Sequence, residues 1–264
     1  EQVQNVLISF AYFNSTTKYK DISKEYWPKN LMLDSGAFSV WTKGDIIDVD
    51  NYADFCKKMR ITAPETTNIV NVNLDVLPGR FGERPTDDQR DQSARKGCEN
   101  CEYLVSQGVK TIPVFHQHED FKWLNKMMSD FEYFGVSPAN DVHITEKEKW
   151  LKKVFSLLKA SRKTHGFGAT AARLTKQFPF YSCDSSSWTA GSRYARIPGF
   201  EQGKSKNIHF KNKESFLDNW NNLNIKDTNL LTDYLARARE GIKSYQKMEE
   251  FITNLWMSRN IKWN

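Results

Sequence analysis

Residues 180–193 read FYSCDSSSWTAGSR, an aromatic and apolar run that ends on Asp184 and continues into small, turn-forming residues. The same pattern occurs in 31–39 (LMLDSGAFS), which contains Asp34, and in VNLDVLPG, which contains Asp75. Each pattern predicts a β-strand whose carboxyl end carries an aspartate, and in a parallel (β/α)8 barrel these strand ends meet at one rim. Aspartate also forms turns on its own, but three repetitions favour a shared site at the rim.

The length and composition are those of a globular chain. With 264 residues, 39% of them hydrophobic, the chain is long enough for one barrel or for two smaller domains. The 38 Lys and Arg outnumber the 32 Asp and Glu, which gives a net charge of +6. This charge fits an anionic partner but does not require one.

Targeting signals and cysteine usage indicate the compartment. No apolar run approaches the roughly 18 residues that a membrane helix needs, and nothing near Glu1 resembles a signal peptide. The four cysteines are too few and too scattered for a disulfide framework. We therefore expect a soluble cytoplasmic protein with no membrane partner.

About eight alternations of strand and helix, with short connections, favour an α/β fold of the (β/α)8 TIM-barrel type over a doubly wound sheet. We expect a single domain over 1–264, with the barrel core in 1–212 and extra C-terminal helices in 213–264. The predicted strands are 6–12, 31–33, 68–76, 111–115, 133–136, 164–170, one that ends at Asp184, and 208–210.

Helices are predicted at 49–59, 87–107, 120–128, 145–160 and 171–178. The first places Tyr52, Phe55, Cys56 and Met59 on one face, the spacing of an amphipathic helix that packs on a sheet. Thr145 is predicted to cap the fourth helix.

Three further motifs could be taken for cofactor or metal sites. The CxxC formed by Cys98 and Cys101 has no second pair of ligands, so zinc binding is not favoured. The segment 166–171 (GFGATA) fits a dinucleotide fingerprint but lacks the apolar strand before it, so its glycines are better interpreted as permitting close approach of a base or ribose. The run 116–120 (HQHED) follows a strand, and ligand-contacting polar groups are favoured there over a metal site.

Basic residues follow the Asp184 segment, among them Arg196, Lys204 and Lys206, with few adjacent acids. We expect a flexible basic loop along which a phosphate backbone could lie, and a solvated charged loop is the ordinary alternative.

In order and spacing, these segments resemble the tRNA-guanine transglycosylase superfamily, and within it the short branch that acts on DNA in phages and genomic islands. The resemblance covers about 31–193. Residues 34–38 (DSGAF) are similar to the family's DSGGF segment, whose aspartate is the general acid and base. Residues 184–193 are similar to its nucleophile loop, with Thr189 and Arg193 in register.

The resemblance also implies a pocket for the base. Asp75 falls where the family has a base-recognising aspartate, and Gln117 where a base-contacting glutamine follows the fourth strand. Residues 134–136 (FGV) and 166–168 (GFG) are similar to segments that line this pocket. The implied substrate-binding residues are Phe38, Asp75, Gln117, Gly135, Val136, Ser137, Gly166 and Gly168.

The chain departs from the family pattern in three places. Val136 or its neighbour replaces a glycine, and Ser39 replaces a glutamine. No CxCxxC with a later histidine follows the nucleophile loop, so the zinc subdomain of the tRNA enzymes is absent. The resemblance therefore implies no metal and no cofactor, and it favours the DNA branch.

The implied reaction replaces guanine in double-stranded DNA by a free 7-deazaguanine, such as the 7-cyano compound. Asp184 attacks C1′ while Asp34 passes a proton to the leaving base, which gives a covalent sugar–enzyme intermediate. Backbone donors of the turn at 185–187 are expected to stabilise the ionised nucleophile. The residues expected to contact the polynucleotide are Ser185, Trp188, Thr189, Arg193, Tyr194, Arg196, Lys204 and Lys206.

Three alternatives stay open at this point. The substrate polymer could be tRNA, or the chain could be a metal-dependent barrel hydrolase that uses His116, His118 and a rim aspartate. It could also be a nucleic-acid binder without catalytic activity. A homodimer is left open as well, and a phage-encoded protein would act in the host cytoplasm.

Overall fold

The computed structural model describes residues 4–13, 24–189, 196–209, 230 and 233–263. Its strands are β1 (Asn5–Ser9), β2 (Asn30–Asp34), β3 (Asn68–Val72), β4 (Thr111–Ile112), β5 (Val114–His116), β6 (Tyr133–Ser137), β7 (Lys163–Gly166), β8 (Ser182–Cys183), β9 (Arg196–Glu201) and β10 (Lys204–His209). Its α-helices are α1 (Ala37–Trp41), α2 (Val49–Thr62), α3 (Asp87–Ser106), α4 (Phe121–Asp130), α5 (Ile144–Leu157), α6 (Ala172–Thr175) and α7 (Tyr234–Ser258). The fold is therefore of the mixed α/β class with parallel sheets, as predicted. The chain divides into two compact units, Glu1–Ser137 and Pro138–Asn264, which are described separately.

The first unit contains parallel strands that neighbour one another in chain order. Strands β1 to β4 form one sheet in the order β1-β2-β3-β4, and β5 pairs in parallel with β6. Only Pro113 separates β4 from β5, because proline has no backbone N–H to donate to a ladder. Its carbonyl oxygen still accepts from Gly135 N at 2.8 Å, so β4 and β5 act as one bent strand between β3 and β6.

Helix α2 packs on this sheet as its periodicity predicts. The Asp48 side chain caps the helix by accepting from Asn51 N at 2.8 Å. Tyr52, Phe55, Cys56 and Met59 are all buried in the core of the unit. Each carries apolar area whose removal from water stabilises the fold by about 1.5–3 kcal/mol for a large side chain.

The Tyr52 side chain also ties two strands together. Its hydroxyl lies 3.0 Å from the carbonyl oxygen of Leu33 and 2.7 Å from that of Val72, and these two acceptors share its single hydrogen. Burial, reinforced by nearby Cys56 and Asp34, holds the pKa of Tyr52 well above its ordinary value, so the hydroxyl keeps its proton.

Helix α3 fixes the segment that follows β3. Asn100 Nδ2 donates to Leu74 O at 2.8 Å, and Asn73 Nδ2 donates to Gly97 O at 2.9 Å. The predicted strand over 68–76 is too long for this reason, since the ladder ends at Val72 and helix contacts replace it. The first strand is also shorter than predicted: it ends at Ser9, whose carbonyl accepts from the amides of the next turn.

In the second unit, β7 and β8 pair in parallel, with His165 opposite Ser182 and Gly166 opposite Cys183. The side chain of His143 caps α5, so the predicted Thr145 cap is wrong by two residues. Thr145 N instead donates to the His143 imidazole. This bond satisfies one of the backbone N–H groups that have no acceptor within the first turn of the helix.

Residues 196–209 form an antiparallel β9–β10 hairpin. Gln202 and Gly203 have φ values of 47° and 74°, the left-handed pair that a tight two-residue turn requires. The expectation of a flexible basic loop here is therefore wrong. The predicted parallel strand over 208–210 is also wrong, because Ile208 pairs with Ile197 in the hairpin, and Phe210 lies outside the described residues.

Helix α7 confirms part of the predicted C-terminal helical region; 213–229 lie outside the described residues. Phe251 packs on Phe200 of the hairpin, with ring centroids 5.5 Å apart. Trp256 Nε1 donates to Thr175 O at 2.8 Å. Across the described ranges, no helix combines the length and the apolar character needed to cross a membrane.

The turn after β2 requires a glycine at position 36 for two reasons, its φ angle and its close packing. Gly36 has a φ of 77°, and a Cβ there would lie 2.4 Å from Ala11 Cβ and from Ser9 Oγ. Gly44 has a similar φ of 75° but has no atom within 4 Å of a Cβ. We expect Gly44→Ala to cost about 1 kcal/mol, the price of a left-handed residue, and Gly36→Ala about 3 kcal/mol, because it adds overpacking.

Urea unfolding of the two variants beside the unchanged protein measures this difference. Equal losses of unfolding free energy in both variants would show that backbone conformation alone, without close packing, decides the residue at position 36.

Candidate active site

Asp34 lies at the carboxyl end of β2, and its carboxylate accepts a hydrogen bond from its own loop. Gly36 N donates to Asp34 Oδ2 at 2.9 Å, and Phe10 N donates to Asp34 O at 2.8 Å. Helix α1 starts directly after this turn and carries Phe38, whose side chain is 45% exposed. The DSGAF segment thus presents a half-buried carboxylate beside an accessible aromatic ring.

Asp75 lies three residues beyond the end of β3 and is held from two sides. His116 Nε2 lies 3.0 Å from Asp75 Oδ2, and Asn73 Nδ2 donates weakly to Asp75 Oδ1 at 3.4 Å. The exposed fraction is 15% for the Asp75 side chain and 22% for His116. The structure therefore brings His116 to the candidate base-recognising carboxylate, a pairing that the sequence did not reveal.

Glu119 completes a cluster with Asp75 and His116. Its Oε2 accepts from His116 N at 3.0 Å. Burial raises the pKa of Glu119 to about 7, although neighbouring His116 opposes this shift. Burial alone would lower the pKa of His116, but the charge and hydrogen bond of Asp75 outweigh it and raise that pKa to about 9.

The 116–120 run turns sharply instead of staying extended. His118 has a φ of 79° and is exposed, while His116 reaches Asp75. Gln117 N donates to Ser137 O at 2.9 Å and so extends the β5–β6 pairing by one bond. His116 and His118 do not form a common face, and among the described residues no group of three His, Cys, Asp or Glu side chains is placed to hold a metal ion.

The β6 residues of the implied base pocket lie on the central part and the end of that strand. Val136 is fully buried, and Gly135 N is engaged by Pro113 O. Ser137, half-buried opposite His116 in the register, occupies the carboxyl end.

Asp184 follows β8 directly in the second unit. Its Oδ1 accepts from Gly168 N at 3.1 Å, and its own N donates to Gly166 O at 3.3 Å. Gly166 is a packing glycine, since a Cβ there would lie 2.9 Å from the Phe180 ring. The two glycines therefore shape the environment of Asp184, a role that the interpretation of 166–171 as a base or ribose contact did not include.

The segment after Asp184 forms a short 3-10 helix, Ser186–Thr189. Ser187 N donates to Ser185 Oγ at 3.0 Å, and Thr189 Oγ1 donates to Ser186 O at 2.7 Å. The expectation that the 185–187 turn supplies the backbone donor to Asp184 is wrong for the described contacts, because that donor is Gly168 N.

Trp188 is 37% exposed, and helix α7 packs against the backbone of the turn that carries it. A Cβ on Gly241 of α7 would lie 2.5 Å from Trp188 O, so the helix approaches this turn as closely as glycine permits. The remaining predicted polynucleotide contacts are on the hairpin, where Arg196 opens β9 and exposed Lys204 opens β10. Lys206 is in β10, with its side chain outside the described part, and Arg193 and Tyr194 are outside it altogether.

Two residues near Asp184 were missed by sequence reasoning. His165 on β7 has a side chain only 4% exposed, and its Nε2 lies 3.4 Å from Asp184 Oδ1. Cys183 is next to Asp184 in sequence; burial, followed by the charges of Asp184 and Glu249, raises the pKa of its thiol to about 12. A thiol that stays protonated is a poor nucleophile, so the carboxylate is the reactive candidate.

Comparison with known proteins adds no assignment. No protein-family model matches the chain, and no curated protein matches it significantly. Support for a function therefore comes from Asp34, Asp75 and Asp184 and their surroundings.

The Glu119 carboxyl predicts an unusual pH dependence of stability. Its pKa is about 7 in the folded chain against 4.5 ordinarily, so the folded state binds the extra proton and loses stability as pH rises through this window. His116 acts in the same direction, since its stabilising charge is lost as pH rises towards its folded pKa of about 9. We expect the unfolding free energy to fall between pH 5 and pH 8, and Glu119→Gln to remove about 2 kcal/mol of that fall.

Denaturant unfolding at both pH values measures the effect, with exposed Glu65→Gln as the matched control. A Glu119→Gln variant whose stability runs parallel to that of the unchanged protein would contradict the assignment of Glu119 as the proton-binding group.

Proposed function

We propose that this chain is a base-exchange transglycosylase that replaces guanine in DNA by a 7-deazaguanine through a covalent Asp184–deoxyribose intermediate. The observation that carries the proposal is the environment of Asp184. One carboxylate oxygen is held by Gly168 N and faces a buried imidazole, and no hydrogen bond or ion pair reaches the other oxygen from the described residues. A carboxylate with one oxygen fixed and one available is suited to attack on carbon.

The proposed architecture is a (β/α)8 barrel. Parallel strands in the first unit follow strict chain order from β1 to β6, and β7 and β8 are again consecutive and parallel. A doubly wound sheet would reverse its strand order at a switch point, and no reversal occurs among these pairings. Closure into a barrel would bring the carboxyl ends that carry Asp34, Asp75 and Asp184 to one rim.

In this mechanism Asp184 Oδ2 attacks C1′ of the target deoxyguanosine. The glycosidic bond breaks, its electron pair goes to the base nitrogen, and Asp34 supplies the proton that the departing guanine takes up. In the second half, Asp34 removes a proton from the incoming 7-deazaguanine, whose nitrogen attacks C1′ and releases the Asp184 carboxylate. Two displacements at one carbon retain its configuration.

Asp75 is suited to read the guanine edge. A carboxylate has about four lone-pair sites, and the bonds from His116 and Asn73 occupy only two of them. The other sites can accept from N1–H and the exocyclic amine of a guanine or 7-deazaguanine. Gln117 would read the carbonyl group, and the exposed ring of Phe38 offers a stacking surface.

DNA is the proposed polymer because the chain lacks the zinc-ligand pattern of the tRNA enzymes and carries a net charge of +6. Arg196 and Lys204 on the hairpin would meet phosphates, and half-exposed Trp188 would stack on bases beside the flipped nucleotide. Flipping costs a few kcal/mol, which such contacts must offset.

The test is incubation of the protein with guanine-containing duplex DNA and 7-cyano-7-deazaguanine, followed by mass spectrometry of the nucleosides, with a tRNA sample alongside. We expect a modified deoxynucleoside from the unchanged protein and a loss of about a thousandfold or more with Asp184→Asn. Asp34→Asn should lose about a hundredfold or more, because proton transfer is impaired.

Exposed Asp141→Asn is the matched control and should retain full activity. Modification of tRNA alone would overturn the assignment of DNA in favour of the tRNA alternative, and the absence of any exchange would overturn the transglycosylase assignment itself.

A further inference from the structure

Ser182, His165 and Asp184 form a continuous row in the second unit. His165 Nδ1 lies 2.7 Å from Ser182 Oγ, and His165 Nε2 lies 3.4 Å from Asp184 Oδ1. The parallel register places His165 opposite Ser182, so the fold itself sets the first contact. The ring is edge-on to Phe167, with centroids 4.4 Å apart, and this packing limits its rotation.

The Nε2 atom of His165 is a buried polar group without a hydrogen-bond partner among the described residues. Its 3.4 Å distance from Asp184 Oδ1 is longer than an ordinary hydrogen bond, and this carboxylate oxygen is the charged acceptor that it faces. Buried polar atoms without a hydrogen-bond partner are rare in folded proteins, so each of them calls for a functional or structural explanation.

The two tautomers of His165 differ in electrostatic free energy. If Nδ1 carried the hydrogen, the Nε2 lone pair would face a carboxylate oxygen inside the protein, and two acceptors would repel each other. If Ser182 Oγ–H donates to Nδ1, then Nε2 carries the hydrogen and points a donor at Asp184 Oδ1. The carboxylate that faces Nε2 therefore favours the Nε2–H form, and Ser182 is placed to donate to Nδ1 in that form.

We propose that His165, oriented by Ser182, is a positioning residue for the nucleophile and that its Nε2–H holds Asp184 Oδ1 so that Oδ2 is the attacking atom. This inference rests on the proposed function. Gly168 N already donates to this oxygen at 3.1 Å, and His165 Nε2–H, 3.4 Å away, would close on it as the second donor of a two-donor clamp.

The clamp acts in both half-reactions. When Oδ2 bonds to C1′, Oδ1 becomes the ester carbonyl oxygen and keeps both donors, so the carboxylate cannot rotate away. When the incoming base attacks C1′, the Oδ2–C1′ bond breaks and its electron pair returns to the carboxylate. The same two donors stabilise that negative charge, which makes Asp184 a better leaving group.

The first experiment measures formation of the covalent adduct. The protein is mixed with a guanine-containing duplex oligonucleotide without any incoming base, and the protein–DNA adduct is followed over time on a denaturing gel. We expect His165→Phe, which keeps the ring volume but removes the donor, to slow adduct formation about tenfold to a hundredfold. His165→Gln, whose amide nitrogen can replace Nε2–H, should recover most of the rate, and Ser182→Ala should lie between the two.

Steady-state exchange with 7-cyano-7-deazaguanine supplies the second readout. Since the clamp acts on the nucleophile, kcat should fall in His165→Phe while KM for the free base stays unchanged. Circular dichroism and thermal unfolding of each variant establish that it folds.

A third readout is independent of catalysis. In ¹⁵N-labelled protein, the imidazole nitrogens of His165 should show the Nε2–H tautomer, and Ser182→Ala should weaken that preference. The Nδ1–H tautomer would overturn the proposal.

Three further outcomes distinguish the role of His165 from the proposed function. An adduct that Asp184→Asn abolishes but that His165→Phe forms at the unchanged rate would overturn the role of His165 and leave the transglycosylase intact. Equal impairment of His165→Phe and His165→Gln, with a raised KM, would also overturn it, since that pattern indicates a general structural role. Absence of adduct in the unchanged protein would overturn both.

Discussion

The hydroxyl group of Tyr52 is the constraint on which the first unit depends. The side chain is completely buried, so its hydroxyl must find acceptors inside the protein. The acceptors are the carbonyl oxygens of Leu33, one residue before Asp34 at the end of β2, and of Val72, three residues before Asp75. A single donor on α2 thus aligns the ends of β2 and β3, and the positions of two candidate site carboxylates follow from it.

The candidate carboxylates are held by different means, which gives them different freedom. Asp34 accepts from the amide of Gly36, only two residues further along in its own turn. Asp184 accepts from Gly168, 16 residues earlier in the chain and on a neighbouring loop. A group that transfers protons can tolerate local adjustment, whereas a nucleophile needs a fixed line of attack on one carbon. The locally held Asp34 and the externally clamped Asp184 fit these two roles in the proposed mechanism.

Much of the fold could be predicted because it depends on local patterns. The 3.6-residue period predicted the buried face of α2. The apolar runs that end in aspartate predicted where β2 and β8 end. The errors arise where a side chain from elsewhere decides the outcome. Asn73 turns to Gly97 of α3 and shortens β3, and a Gln-Gly turn with positive φ converts an expected parallel strand into a hairpin. The pairs His116–Asp75 and His165–Ser182 join residues 41 and 17 positions apart, a separation that no local period encodes.

Helix α7 also determines when the chain can complete its structure. Trp256 and Arg259 donate to Thr175 and Lys176 across sequence separations of 81 and 83 residues, and Gly241 backs the turn that carries Trp188. Such distant contacts form late, because closing a long loop costs entropy before any contact repays it. During synthesis the ribosome must therefore release residues up to 259 before the turn beside Asp184 gains its support. The turn that follows Asp184 therefore reaches its supported conformation only after the chain has been made well beyond that turn, and a nascent chain that has already folded its first unit would still lack this support.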